Sequence, residues 1–145
     1  MNTIRPNKSP RIKERVSGKL AGPILLGTSL DNQQRIYMFS FSEVIVCDWL
    51  THDENWLQTN LVIDKSSGRC FPKGSVRDIT VSAWPCSMSD HSEEDGGWAV
   101  DGWRAIPVEE VDGEYIQITL KVAIRGVGSR LNRFGYMWVA YTTAI

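Results

Sequence analysis

Residues 115–124 alternate without exception. Ile116, Ile118, Leu120, Val122 and Ile124 fall on one parity, with Tyr115, Gln117, Thr119, Lys121 and Ala123 on the other. Successive side chains of an extended strand point to opposite faces, so a ten-residue run at period two has one apolar face and one largely polar face. A helix would spread the same five aliphatics around its whole circumference. Burying them contributes about 1.5–3 kcal/mol each, as an upper bound, because an unfolded chain already hides part of that surface. A chain containing this ribbon must supply a second apolar surface for it to face.

The rest of the sequence supplies more strands and no convincing helix. Tyr37, Phe39 and Phe41 alternate with Ile36 and Met38, the pattern of a strand covered on both sides. A kink is expected at Ser42-Glu43, with the extended pattern resuming over 44–50 and again over 57–64. Asp64-Lys-Ser-Ser-Gly68, Pro72-Lys-Gly74 and Asp112-Gly113 read as turns. Residues 76–84 place Ile79, Val81 and Ala83 on one side, and Pro85 is expected to end that strand. Residues 85–102 then read as a long irregular loop. The last strand, 136–143, is expected to pair antiparallel with 115–124 across a loop containing Gly126, Gly128 and Gly135. Seven or eight short strands joined by polar turns give an all-β chain, an antiparallel β-sandwich or jelly-roll-like fold. The expected organisation is a basic arm over residues 1–19 and one domain over 20–145.

With 145 residues and 42% hydrophobic content, the chain builds a core without metals or disulfides. Its net charge of −1 hides a segregation. Arg5, Lys8, Arg11, Lys13, Arg15 and Lys19 face Glu14 alone in the first 20 residues, a net of +5. Nine acids between Pro85 and Glu114 face only Arg104, a net of −8. Three cysteines, Cys47, Cys70 and Cys86, cannot all pair within one chain, and no apolar signal segment precedes them, so free thiols in a reducing cytoplasm are expected. No run approaches the roughly 18 apolar residues that a membrane-spanning helix needs.

Catalytic chemistry has little to draw on. The two histidines, His52 and His91, lie in expected loops, and no nucleophile elbow is present, so the reading is non-enzymatic and without a cofactor. The cysteine and histidine spacing matches no zinc pattern. Asp90, Glu94 and Asp95 are oxygen donors for calcium at most, because the glycine of this acidic loop comes one place late for an EF-hand and no helices flank it. Six tryptophans are more suggestive, since flat aromatic faces stack on sugar rings and anchor interfaces. Trp98 and Trp103, beside glycines in the expected long loop, are the candidate contacts.

Two resemblances bear on function. The Phe-rich segment 36–41 and the closing Tyr136-Met-Trp138-Val-Ala140-Tyr141 resemble H-type lectin domains over about a quarter of the chain, with no sugar-binding signature, so no site residue is carried across. A basic arm before an all-β body is similar to small jelly-roll virion proteins in architecture. The leading expectation is a self-associating structural subunit of virion type, capsid or phage-tail-like, whose arm is held by a neighbouring copy or touches nucleic acid. The alternative is a carbohydrate-binding, lectin-like module using Trp98 and Trp103.

Overall fold

The computed structural model describes residues 10–28, 34–51, 55–89, 97–126 and 129–145, and of residues 85–89, 97, 98, 101 and 129 the backbone alone. These residues form eight strands: β1 (Arg11–Ser17), β2 (Ala21–Thr28), β3 (Arg35–Thr51), β4 (Leu57–Phe71), β5 (Val76–Ser89), β6 (Gly97–Glu110), β7 (Gly113–Arg125) and β8 (Ser129–Thr142). No helix occurs among the described residues, and hence none long and apolar enough to cross a membrane.

The strands make two antiparallel sheets. The first runs β1-β3-β8-β5, with β2 also on β3, and the second runs β4-β7-β6. β1 pairs with β3 from Glu43 to Asp48 and β2 pairs with it from Arg35 to Ser40, while β8 covers both stretches from the other side. The short strands therefore share one edge of a long one.

The alternating ribbon is β7, the central strand of the second sheet. Ile116, Ile118, Leu120, Val122 and Ile124 are fully buried there. They meet Phe39, Ile45, Trp49, Phe134, Tyr136 and Trp138 of the first sheet in one core cluster, as a period-two pattern requires.

Several expectations are corrected. β8 does not pair with β7: it lies in the other sheet, between β3 and β5, so the chain crosses the core after Arg125 instead of closing a hairpin. The segment 85–102 is not one long loop. β5 runs on to Ser89, with its register slipping between Pro85 and Ser87, and β6 starts at Gly97, so Trp98 and Trp103 are strand residues. A proline that lacks an N–H is tolerated on β5 because β5 is an edge strand, where a missing donor costs no ladder bond. No kink occurs at Ser42-Glu43, where the β3–β8 register is unbroken from Tyr37 to Val46. Residues 11–17 of the expected arm are a strand held by this chain's own β3.

The turns at Pro72-Lys-Gly74 and Asp112-Gly113 are present. Glu114, buried at the start of β7, ties down the first of these: its carboxylate accepts from the amides of Gly74 (3.1 Å) and Val76 (3.0 Å). One of the nine acids counted above is thus committed to structure.

Candidate functional site

The edge formed by β1 and β2 is built around a buried acid. On β3 the parity that sends Phe39, Phe41, Ile45 and Cys47 inward also sends Glu43 inward, where it is 2% exposed. Arg15 and Ser17 of β1 arrive opposite Ile45 and Glu43. Arg15 Nε donates to Glu43 Oε1 at 2.7 Å, Ser17 Oγ donates to Oε2 at 2.7 Å, and Tyr136 OH donates to Oε1 at 3.1 Å. Ser66 Oγ lies 2.8 Å from Tyr136 OH and accepts from Trp138 Nε1 at 2.8 Å. Three charge-assisted bonds therefore satisfy a carboxylate inside an apolar core, and the network reaches from β1 to β4 across both sheets.

Ser66 is inward-facing because β4 is irregular at that point. The β4–β7 register breaks on either side of Ser66, and Lys65 and Ser67 both have positive φ (46° and 67°). A bulge re-aims one side chain, here a hydroxyl that accepts from the Trp138 indole and donates to the Tyr136 oxygen, whose own proton goes to Glu43.

Electrostatics follow burial. Partial burial acts against the Arg15 charge, but the bonds and field of Glu43 outweigh it and hold the guanidinium above its ordinary pKa. Burial pushes the Tyr136 phenol up to about 12; the Ser66 bond lowers it and the Glu43 charge raises it. Burial, with the Asp48 charge, pushes the Cys47 thiol up to about 12. Both groups ionise at lower pH once unfolded, near 10.0 and 9.0. Their neutral forms thus contribute stability that is complete below about pH 9 and is lost as pH rises toward 12. Urea midpoints measured at pH 7, 9 and 10.5 should change little between the first two and fall by the third; a flat series contradicts the placement of both residues.

The structure divides the six arm cations. Arg15 is used inside the fold. Arg11, Lys13 and Lys19 are exposed on or just after β1, and Arg5 and Lys8 lie outside the described residues. The calcium candidates Asp90, Glu94 and Asp95, with His52 and His91, also lie outside them. No group of three metal-ligating side chains occurs among the described residues. Cys47 and Cys70 are free thiols.

Trp98 and Trp103 sit on edge strand β6, opposite Ile124 and Leu120 of β7. Trp103 is 47% exposed, so the row that buries Leu120 completely leaves this indole half open at the sheet margin. The structure brings no second tryptophan face to it among the described side chains.

The sequence marks 23–27 as a short apolar run before a turn but gives no direct sign of how exposed that strand is. On β2, Ile24, Leu25 and Leu26 are each about half exposed, at 47%, 54% and 51%. Among the described residues β2 pairs with β3 alone, and none of them pairs with its outer backbone edge. The available signal was the absence of any charge from Leu20 to Thr28, directly after a strand that carries four. No family model, curated protein or solved structure matches the chain.

Proposed function

We propose that this chain is a self-associating β-sandwich subunit, a structural protein that assembles with further copies of itself through β2. The carrying observation is the uncharged, half-exposed edge at Ile24, Leu25 and Leu26. An open strand edge presents a row of unpaired N–H and C=O groups, and proteins that stay monomeric blunt such edges with charge. β1 is blunted in that way by Arg11 and Lys13; β2 carries no charge, and its Pro23 and register shifts lie on either side of Ile24 and Leu25. A second copy's β2, laid antiparallel about a twofold axis, extends the first sheet and covers the same apolar residues on both copies. Exposed Arg11, Lys13 and Lys19 leave positive charge beside that edge, which supports the narrower reading of a virion-type subunit whose arm meets nucleic acid or an acidic surface.

Sedimentation velocity over a range of concentrations tests this reading with Leu25→Lys beside the unaltered chain. Leu25 is exposed, so the substitution should cost the fold no more than about 0.5 kcal/mol. The unaltered chain should sediment as dimers or larger species that dissociate on dilution, and Leu25→Lys as a 16.4 kDa monomer. An unaltered chain that is monomeric throughout would overturn the proposal.

A second reading, glycan binding, is favoured by the half-open Trp103, which lines a cleft with Asn60, Thr119 and Lys121. A glycan array tests it: binding that Trp103→Ala abolishes supports stacking on the indole, and a flat array counts against it.

A further inference from the structure

Five of the fourteen described Lys and Arg side chains lie against an acid or a ring. Arg15 lies against Glu43, Lys65 against Glu110 and Arg130 against Asp48. Arg69 covers the rings of Phe39 and Phe71, and Arg125 lies over Trp56. Arg104 and Lys121 have neither an acid nor a ring among the described residues, and both are exposed.

Register places them together. Leu61 and Leu120 pair and are buried in the core, so the alternate positions of β4 and β7 face outward. Asn60 is opposite Lys121, and Lys121 is opposite Gly102; Val62 is opposite Thr119, and Thr119 is opposite Arg104. These two adjacent rows cross the outer face of the second sheet. Lys121 and Arg104 are diagonal neighbours, a relation that sets side-chain origins about 7–8 Å apart, within converging reach for two long side chains. Between them stands Gly102, at a break in the β6–β7 register. A Cβ there would meet nothing within 4 Å, and its φ lies outside the positive range that favours glycine. The missing side chain leaves a cleft of about 360 Å³ lined by Asn60, Gly102, Trp103, Arg104, Thr119 and Lys121, with no carboxylate among them.

We propose that this cleft is a binding site for a sugar bearing a sulfate or phosphate ester. An Arg fork and a Lys point charge converging from a diagonal suit one tetrahedral oxyanion. The amide of Asn60 and the hydroxyl of Thr119 add a donor–acceptor pair for ring hydroxyls. The volume lies at the low end of small-molecule sites, the size of one or two sugar units. A nucleic-acid strand fits less well, because such grooves track a backbone with a stripe of cations, and here the rows end at half-exposed Val62. The proposal deepens the glycan reading while moving recognition from the Trp103 ring to two cations.

Calorimetric titration of the full chain tests it with a heparin-derived tetrasaccharide, mannose 6-phosphate, the desulfated tetrasaccharide and an eight-nucleotide oligothymidylate as probes. The unaltered chain should bind at least one ester-bearing sugar at least about tenfold more tightly than the desulfated form, and more weakly as salt rises. Gly102→Val, which fills the cleft without strain, and the double variant Arg104→Gln/Lys121→Gln should each lose at least about tenfold in affinity with unchanged melting. No binding to either ester-bearing sugar, an unchanged affinity in folded Gly102→Val, or oligothymidylate bound as tightly as the sugar would each overturn the proposal. Binding lost in Trp103→Ala but kept in the double variant would overturn the cation site and leave the stacking reading standing.

Discussion

Arg15→Met should destabilise the chain more than Glu43→Gln, by about 3–5 kcal/mol against about 1–2 kcal/mol. The asymmetry comes from burial. The Glu43 side chain is 1% exposed, so removing Arg15 strands a carboxylate in the core with only two neutral hydroxyls for company. The Arg15 side chain is 36% exposed, so when Glu43 becomes an amide the guanidinium turns toward water, and the amide still accepts from Ser17 or Tyr136. Urea unfolding of both variants at pH 7 measures the difference. Equal losses, or a larger loss for Glu43→Gln, would mean that the network does not carry the charge described.

Gly113→Val should cost about 2–5 kcal/mol, and Gly102→Val less than about 0.5 kcal/mol, although both replace a glycine on the same hairpin. Gly113 has φ of +151°, and a Cβ there would overlap the Phe71 carbonyl and lie 2.5 Å from Cys70 Sγ. Phe71 is itself 1% exposed and stacked edge-on against Phe39, with ring centroids 5.1 Å apart, so the β4 backbone has little room to retreat. Gly102 meets open space. Thermal melts of the two variants side by side read the contrast. Similar melting temperatures would show that the approach of β4 to the β6–β7 turn is wrong.

These two glycines show how far sequence alone reaches. Asp112-Gly113 is legible as a turn because its chemistry is local. The overlap that makes Gly113 irreplaceable involves Phe71, 42 positions away. Parity is also local, and it placed the inward face of β7 correctly. Carried through Ser42-Glu43, the same parity would have put Glu43 inside with Phe41 and Ile45; reading the charge as a kink lost the buried acid and, with it, the reason Arg15 belongs to the fold. Pairing is not local. β3 and β7 both have apolar inner faces, and nothing in the period of β8 says which one it joins, so proximity in sequence favoured the wrong sheet. Ser66 turns inward through a bulge, and the Arg104–Lys121 cleft depends on cross-strand register. Neither leaves a pattern along the chain. The β2 edge lies between these cases: its lack of charge is written in residues 20–28, but its exposure follows only once β3 is seen to carry it at the margin.

Amide hydrogen exchange on β2 at low and high protein concentration tests self-association through that edge most directly. The account predicts that amides from Ile24 to Thr28 gain protection as concentration rises, while those of β5 and β6 at the opposite margin keep their rates. Exchange on β2 that is the same at every concentration, in a chain whose β7 amides stay protected, would contradict it.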